Sequence, residues 1–332
     1  MIPSKNKTVL LFLTHIKNKT INRQISRLFK QCSNQFDIFV LCDNSEGKFD
    51  RYKDDRRFFL FDVSQLRAMG YPAKSASETL SRSNQGDYHH RRFNFDPGNV
   101  ELPVLLFFKA HPEYDHFWTI EYDVRFSGAW DRFFSTFEKN DADLLGTTLT
   151  RYERIPGWFH WPSLDLGAMR VGKDAYLRGF FPVYRLSRRA LERLDRDYRT
   201  GVKGHFECLV PTLLQHAGMT IEDIGGDGEL VRPGNVNRFY RNTPTEGHLG
   251  PGTFVFRPIM ERPGDEPNTL WHPVKPSPLW KSVLRSVRRA LMPVATQPAR
   301  NGPAAVSVRS GSDPRAPLAH PIVQPQRGDR LN

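Results

Sequence analysis

Cysteine is scarce. The 332 residues hold three, Cys32, Cys42 and Cys208, and no CxxC pair. That argues against a disulfide framework and a structural zinc site, and the chain reads as a cytoplasmic protein of a reducing compartment. Long apolar runs are missing too. None approaches the ~20 residues of a membrane span. The run Val9 to Leu13 ends in Thr14-His15 and is too short for the apolar core of a signal peptide. There is no GxGxxG, GxxxxGK[ST] or GxSxG, so dinucleotide-binding, P-loop and nucleophile-elbow readings lose their main support. No repeat with a period of about 20–50 residues is visible.

What is present is apolar and basic. Hydrophobic residues make up 39% and aromatics 12%, with 24 Phe and 6 Trp, enough to build a core and to rule out global disorder. The formal net charge is +12 and the isoelectric point about 9.7. A basic balance suits anionic partners: nucleotides, nucleic acid or acidic lipid. The excess is uneven, because residues 276–332 carry nine Lys/Arg against two Asp, leaving +5 for the first 275. Residues 293–332 are rich in Pro, Ala, Arg, Ser and Gln without Phe, Trp or Tyr, and read as a disordered tail. Leu279–Met292 is a basic amphipathic pattern. Trp280, Val283, Leu284, Val287 and Leu291 share one face, and Lys281, Arg285, Arg288 and Arg289 lie mainly on the other. Such a helix within 276–292 suits either peripheral contact with an anionic membrane or packing on the folded domain, residues 1–275.

Strand-like and helix-like segments alternate within that domain. Strands are expected over Thr8–Thr14, Asp37–Leu41, Arg57–Val63, His116–Ile120, Ala142–Thr148, Tyr184–Leu186 and Met219–Ile224. Helices are expected over Ile21–Gln31, Glu101–Ala110, Trp130–Glu138, from Ser187 to about Arg196, and over His205–His216, with Ser187 as an N-cap. This rhythm predicts an α/β fold, a mostly parallel sheet covered by helices on both faces. In such sheets ligands bind beyond the carboxyl ends of the strands. Thr14-His15, Asp43-Asn44-Ser45 and Glu121-Tyr122-Asp123 fall there.

The strongest signal is Trp118-Thr119-Ile120-Glu121-Tyr122-Asp123-Val124, an apolar strand that runs into two acids. Residues two apart in extended chain share a side, so Glu121 and Asp123 could face one cation, with a solvated strand end as the alternative. His272, in Leu270-Trp271-His272-Pro273-Val274-Lys275, could ligate Mn²⁺ or close a Pro-rich loop, and Lys275 could neutralise a diphosphate. Glu207, in Gly204-His205-Phe206-Glu207, opens a helix. It could act as a general base, or simply favour the helix dipole. Trp158-Phe159-His160-Trp161 could shape an acceptor cleft, with Trp161 the site residue, or be core under a loop. Tyr88-His89-His90-Arg91-Arg92 reads as a solvated cationic loop.

The stretch WTIEYDVRFSGAW together with LWHPVK resembles a family of bacterial glycosyltransferase-like proteins with the GT-A fold, over about residues 5–275. The resemblance implies a metal-dependent hexosyltransferase that uses a UDP- or GDP-linked sugar and a glycan or lipid-linked acceptor. It implies Mn²⁺ or Mg²⁺ on Asp123, with His272 as a late ligand and Glu121 on metal, ribose or sugar hydroxyls. It also implies a nucleotide over Thr14 and Asp43, and Glu207 as the base of an inverting transfer, with Asp223 a second choice. Two alternatives remain open at this stage. One is a nucleotide-sugar-binding protein without transfer activity. The other is a nucleic-acid-binding protein, which ranks last because the charge excess sits mainly in the tail and no recognised module is present.

Overall fold

A computed structural model describes residues 7–72, 99–241 and 252–275. The expected amphipathic helix at 279–292, the tail and the His89-His90 loop lie outside the described residues. Every described residue belongs to one unit, Met1–Pro278.

Apolar runs become buried strands, as expected. The strands are β1 (Thr8–Thr14), β2 (Asp37–Asp43), β3 (Phe58–Phe61), β4 (His116–Glu121), β5 (Arg125–Phe126), β6 (Leu144–Arg151), β7 (Leu177–Ser187), β8 (Ile221–Asp223) and β9 (Leu270–Trp271). The helices are α1 (Lys19–Cys32), α2 (Val63–Ala68), α3 (Leu102–Ala110), α4 (Trp130–Ser135), α5 (Arg188–Arg199) and α6 (Phe206–His216). Seven strands form one sheet in the order β3-β2-β1-β4-β7-β6-β8, and β5 pairs with β9 in a separate ribbon. Neighbours are parallel except around β7, which runs antiparallel to both β4 and β6. The mostly parallel sheet flanked by helices is therefore the observed fold class.

Period-two alternation explains the two-sided burial. Val9, Leu11 and Leu13 of β1 enter one core cluster with Phe107, Leu191 and Leu213 from α3, α5 and α6. Leu10 and Phe12 enter the other with Leu28 of α1 and Phe133 of α4. Chain punctuation places the helices. Asn18 accepts from the Ile21 amide at 2.9 Å to start α1, and Ser187 accepts from the Ala190 amide at 3.0 Å to start α5.

Several boundaries differ from expectation, among them β6, which runs Leu144–Arg151 rather than Ala142–Thr148, and β8, which is only Ile221–Asp223. The third strand ends at Phe61, because Asp62 forms a capping box with Gln65 and opens α2. The helix at Trp130 stops at Ser135, short of Glu138. The strand expected over Tyr184–Leu186 is the 11-residue β7, buried throughout. Gly179 and Pro182 obscure it in the sequence, and burial of Phe180, Phe181 and Val183 overrides those breakers. Arg185 is tolerated inside because its guanidinium donates to the carbonyls of Phe137 (3.2 Å) and Ala142 (3.0 Å) and to Asn140 Oδ1 (2.9 Å).

Asp223 ties the end of β8 to β6. One carboxylate oxygen accepts the Leu149 amide at 3.0 Å. The other accepts the Gly225 and Gly226 amides and the Tyr240 hydroxyl at 2.9, 3.1 and 2.7 Å. Tyr240 in turn accepts the amide of Thr148, a β-branched residue held at φ 52°. Asp223→Ala strands four buried donors and is expected to destabilise the protein by about 3 kcal/mol or more. An unchanged urea midpoint would show that this network does not hold the bulged end of β6.

Candidate functional site

The polar ends of β1, β2 and β4 lie side by side, with Leu13 registered against Glu121 and Thr14 against Cys42. β4 ends at Glu121, and the chain turns at once, the Val124 amide bonding the Glu121 carbonyl at 3.1 Å. Glu121 and Asp123 thus converge through a turn rather than along an extended strand. Arg125 stabilises that turn by donating to the carbonyls of Tyr122 and Val124 at 2.8 and 2.7 Å.

Beyond the turn, Phe126 and Arg125 of β5 pair with Leu270 and Trp271 of β9. The pairing continues as the Val274 amide donates to the Asp123 carbonyl at 2.8 Å. Two segments nearly 150 residues apart are thereby zipped together, bringing His272 and Lys275 onto Asp123. His272 Nε2 lies 3.4 Å from Asp123 Oδ1, and Lys275 Nζ lies 3.1 Å from Oδ2. One ligand atom each from Glu121, Asp123 and His272 fall within 4.8 Å of one another.

The His272 ring sits between Phe180 and Phe254, with centroids 5.2 and 5.5 Å away. Its Nδ1 is 2.8 Å from the Val255 carbonyl. A carbonyl only accepts, so Nδ1 carries a hydrogen, and Nε2 is the ring nitrogen turned toward Asp123. Asp123 Oδ1 is buried and has no hydrogen-bond partner. A buried carboxylate oxygen without a hydrogen bond is unfavourable unless a positive charge, a proton on the ring or a metal ion, compensates it. The donor set, two carboxylates and an imidazole, suits Mn²⁺ or Mg²⁺.

The charges are strongly coupled. Burial would raise the Asp123 carboxyl, but His272 and Lys275 overcome it and hold Asp123 ionised. Glu121 is pushed up by burial and then by the Asp123 charge, with Glu207 adding to the effect.

Glu207 stands in the first turn of α6. Gly204, at φ +151°, brings the chain past Leu164 and Ser163 in a conformation L-residues rarely adopt. His205 then caps the helix, its Nδ1 accepting the Glu207 amide at 3.4 Å. Burial pushes the Glu207 carboxyl up to about 8, opposed by the Arg178 charge and the Phe181 backbone.

The remaining expected residues are placed differently. The Thr14 hydroxyl is engaged in a local turn with the Ile16 backbone at 3.0 Å. Asp43 Oδ1 accepts from the Ser45 amide and hydroxyl at 3.0 and 2.6 Å, a turn-forming role. Trp161 is not presented to a cleft. It is buried against Trp158 and Ile155, and its indole N–H donates to the Ile155 carbonyl at 2.8 Å. Phe159 is the exposed aromatic of that segment, at 55%. Asp223 belongs to the core network and is unsuited to act as a base.

His15 directly follows β1. Its ring packs edge-on against Tyr122 at 4.9 Å. Burial lowers its pKa to about 4, with Asp43 and Asp123 opposing and Lys275 and Lys48 assisting, so the ring is neutral. Only its position just after β1 marked it in the sequence.

A family model described as "Protein of unknown function (DUF3405)" matches residues 77–143, which include α3, β4 and the Glu121–Asp123 turn. No curated protein matches the sequence. Among solved structures, core-mannan synthase A of Aspergillus fumigatus in a Mn/GDP form is 12% identical, with a TM-score of 0.33, and the match covers 67% of this chain and 74% of that one. The mannosyltransferase Ktr4p of S. cerevisiae in complex with GDP is 13% identical, with a TM-score of 0.34 and coverage of 66% and 69%. A 4-diphosphocytidyl-2C-methyl-D-erythritol synthase of Anaerococcus prevotii is 9% identical, with a TM-score of 0.35 and coverage of 68% and 90%.

Among the described residues, no helix is long and apolar enough to cross a membrane.

If Asp123 and His272 hold a cation, Mn²⁺ at a hundredfold excess over its Kd adds about 2.7 kcal/mol of stability. The expected result is a raised thermal midpoint in the wild-type protein and no rise in Asp123→Asn or His272→Ala. An equal rise in all three would place the ion elsewhere.

Proposed function

We propose that the protein is a metal-dependent glycosyltransferase that takes a nucleoside diphosphate sugar, UDP- or GDP-linked, and passes the sugar to a hydroxyl of a glycan or lipid-linked acceptor. One observation carries the reading. The buried Asp123 Oδ1 lacks a hydrogen bond and lies 3.4 Å from Nε2 of His272, at the carboxyl end of β4 and beside Lys275. The motif resemblance over residues 5–275 supports the same chemistry.

In this reading Asp123, Glu121 and His272 hold Mn²⁺ or Mg²⁺. When bound, that ion supplies Lewis-acid stabilisation of the departing nucleoside diphosphate. Lys275 presents an ammonium beside Asp123 and neutralises diphosphate charge. His15, uncharged, forms an edge-on wall against Tyr122 without adding to the charge of the site. Glu207 accepts the proton of the acceptor hydroxyl as its oxygen bonds the sugar's anomeric carbon, and the bond from that carbon to the diphosphate oxygen breaks. Its raised pKa brings it close to the basicity such a transfer needs at neutral pH.

Calorimetric titration of UDP and GDP into the full chain tests the donor site. Binding of one of them with Mn²⁺, and its loss with EDTA or in Asp123→Ala, is the expected outcome. Metal-independent binding, or none, would sink the assignment. Binding without turnover of any donor would leave a nucleotide-sugar-binding protein.

The base assignment gives a pH signature. Glu207 works only when ionised, so kcat/KM should rise with pH and level off above about 8, and Glu207→Gln should lose at least ~100-fold. A profile flat from about pH 6 to about pH 9 counts against Glu207.

A further inference from the structure

His160, His205 and Glu207 form a second group of ligating side chains, outside the Asp123 cluster. One ligand atom from each lies within 4.8 Å of the others, and all three are partly exposed. They come from separate parts of the chain. His160 stands just before the short turn Trp161–Ser163, whereas His205 and Glu207 open α6. The two imidazoles stack 3.7 Å apart at 12°. His205 Nδ1 is 3.7 Å from Glu207 Oε2. That nitrogen accepts the Glu207 amide, so it carries no hydrogen, and at 3.4 Å the bond is long and easily given up.

Donors of a tetrahedral zinc ion lie about 2.0–2.2 Å from it and therefore about 3.4 Å from each other. The His205–Glu207 separation is near that value, and the His160 ligand atom lies within 4.8 Å of both, so binding requires the His160 ring to turn out of the stack. Two imidazoles and one carboxylate are a donor set suited to zinc, leaving a fourth position open to water. Arg178, the cation whose charge reaches Glu207, keeps its guanidinium over the Trp158 ring at 5.1 Å.

We propose that His160, His205 and Glu207 form a zinc-type site, separate from the oxygen-rich Asp123 site. The inference stands on this geometry and does not rest on Glu207 being a base. If Glu207 is the base, zinc there covers its carboxylate and competes with the acceptor hydroxyl.

The test uses the full chain, stripped with a chelator and titrated with Zn²⁺ by calorimetry and with Co²⁺ by visible absorption. Wild type is expected to bind one ion more than either His160→Ala or Glu207→Gln, with that ion retained in Asp123→Asn. Its Co²⁺ form should show ligand-field bands that the two variants lack. Equal stoichiometry in wild type and both variants, or loss only in Asp123→Asn, overturns the proposal. Thermal midpoints measured without metal show which variants are folded. If His160→Ala is not, Glu207→Gln, which keeps the side chain's shape, decides.

Discussion

Everything at the candidate site depends on one piece of backbone pairing. The ribbon of β5 and β9, extended by the Val274 amide on the Asp123 carbonyl, holds the late segment against the turn after β4. Backbone pairing sets register, and register decides which side chains meet. A slip of one residue would turn His272 away from Asp123 and put Trp271 or Pro273 in its place. Arg125 shares in this, because its guanidinium braces the same turn from within the chain.

That constraint brings unfavourable groups together. Two carboxylates, an imidazole and an ammonium lie in a largely buried cluster, where desolvation opposes every charge. Two other buried aspartates are satisfied at both oxygens. Asp143 accepts from Ser187, Arg189 and Thr220 with both oxygens, and Asp223 accepts four donors. Asp123, equally buried, is left with one oxygen unsatisfied. The contrast with Asp143 and Asp223 is what marks Asp123 as a candidate ligand position.

Much of the sheet was legible because it obeys simple periodicity. Continuous apolar runs marked β1, β2 and β4, and Ser187 marked the start of α5. The acids at 121 and 123 stood out because a buried strand ended in them. β7 was largely hidden, since Gly179, Pro182 and two arginines disguise a strand whose burial depends on neighbours far away in sequence. The aromatic segment at 158–161 misled for a similar reason. Whether Trp161 or Phe159 faces solvent depends on packing against Ile155 and Tyr176, which local composition does not encode. Thr14 and Asp43 lie at the ends of β1 and β2, where the pattern put them, and their side chains close local turns.

The sequence by itself determined the fold class, the placement of polar residues at strand ends, and the two motifs that share the site. Those follow from local rules: period, capping and the polarity of strand ends. Tertiary structure decided which of those residues meet. It joined His272 and Lys275 to Asp123 across the ribbon, set His15 against Tyr122, and gathered His160, His205 and Glu207 at the start of α6. Such meetings arise from long-range pairing and packing, which bring residues together irrespective of their spacing along the chain.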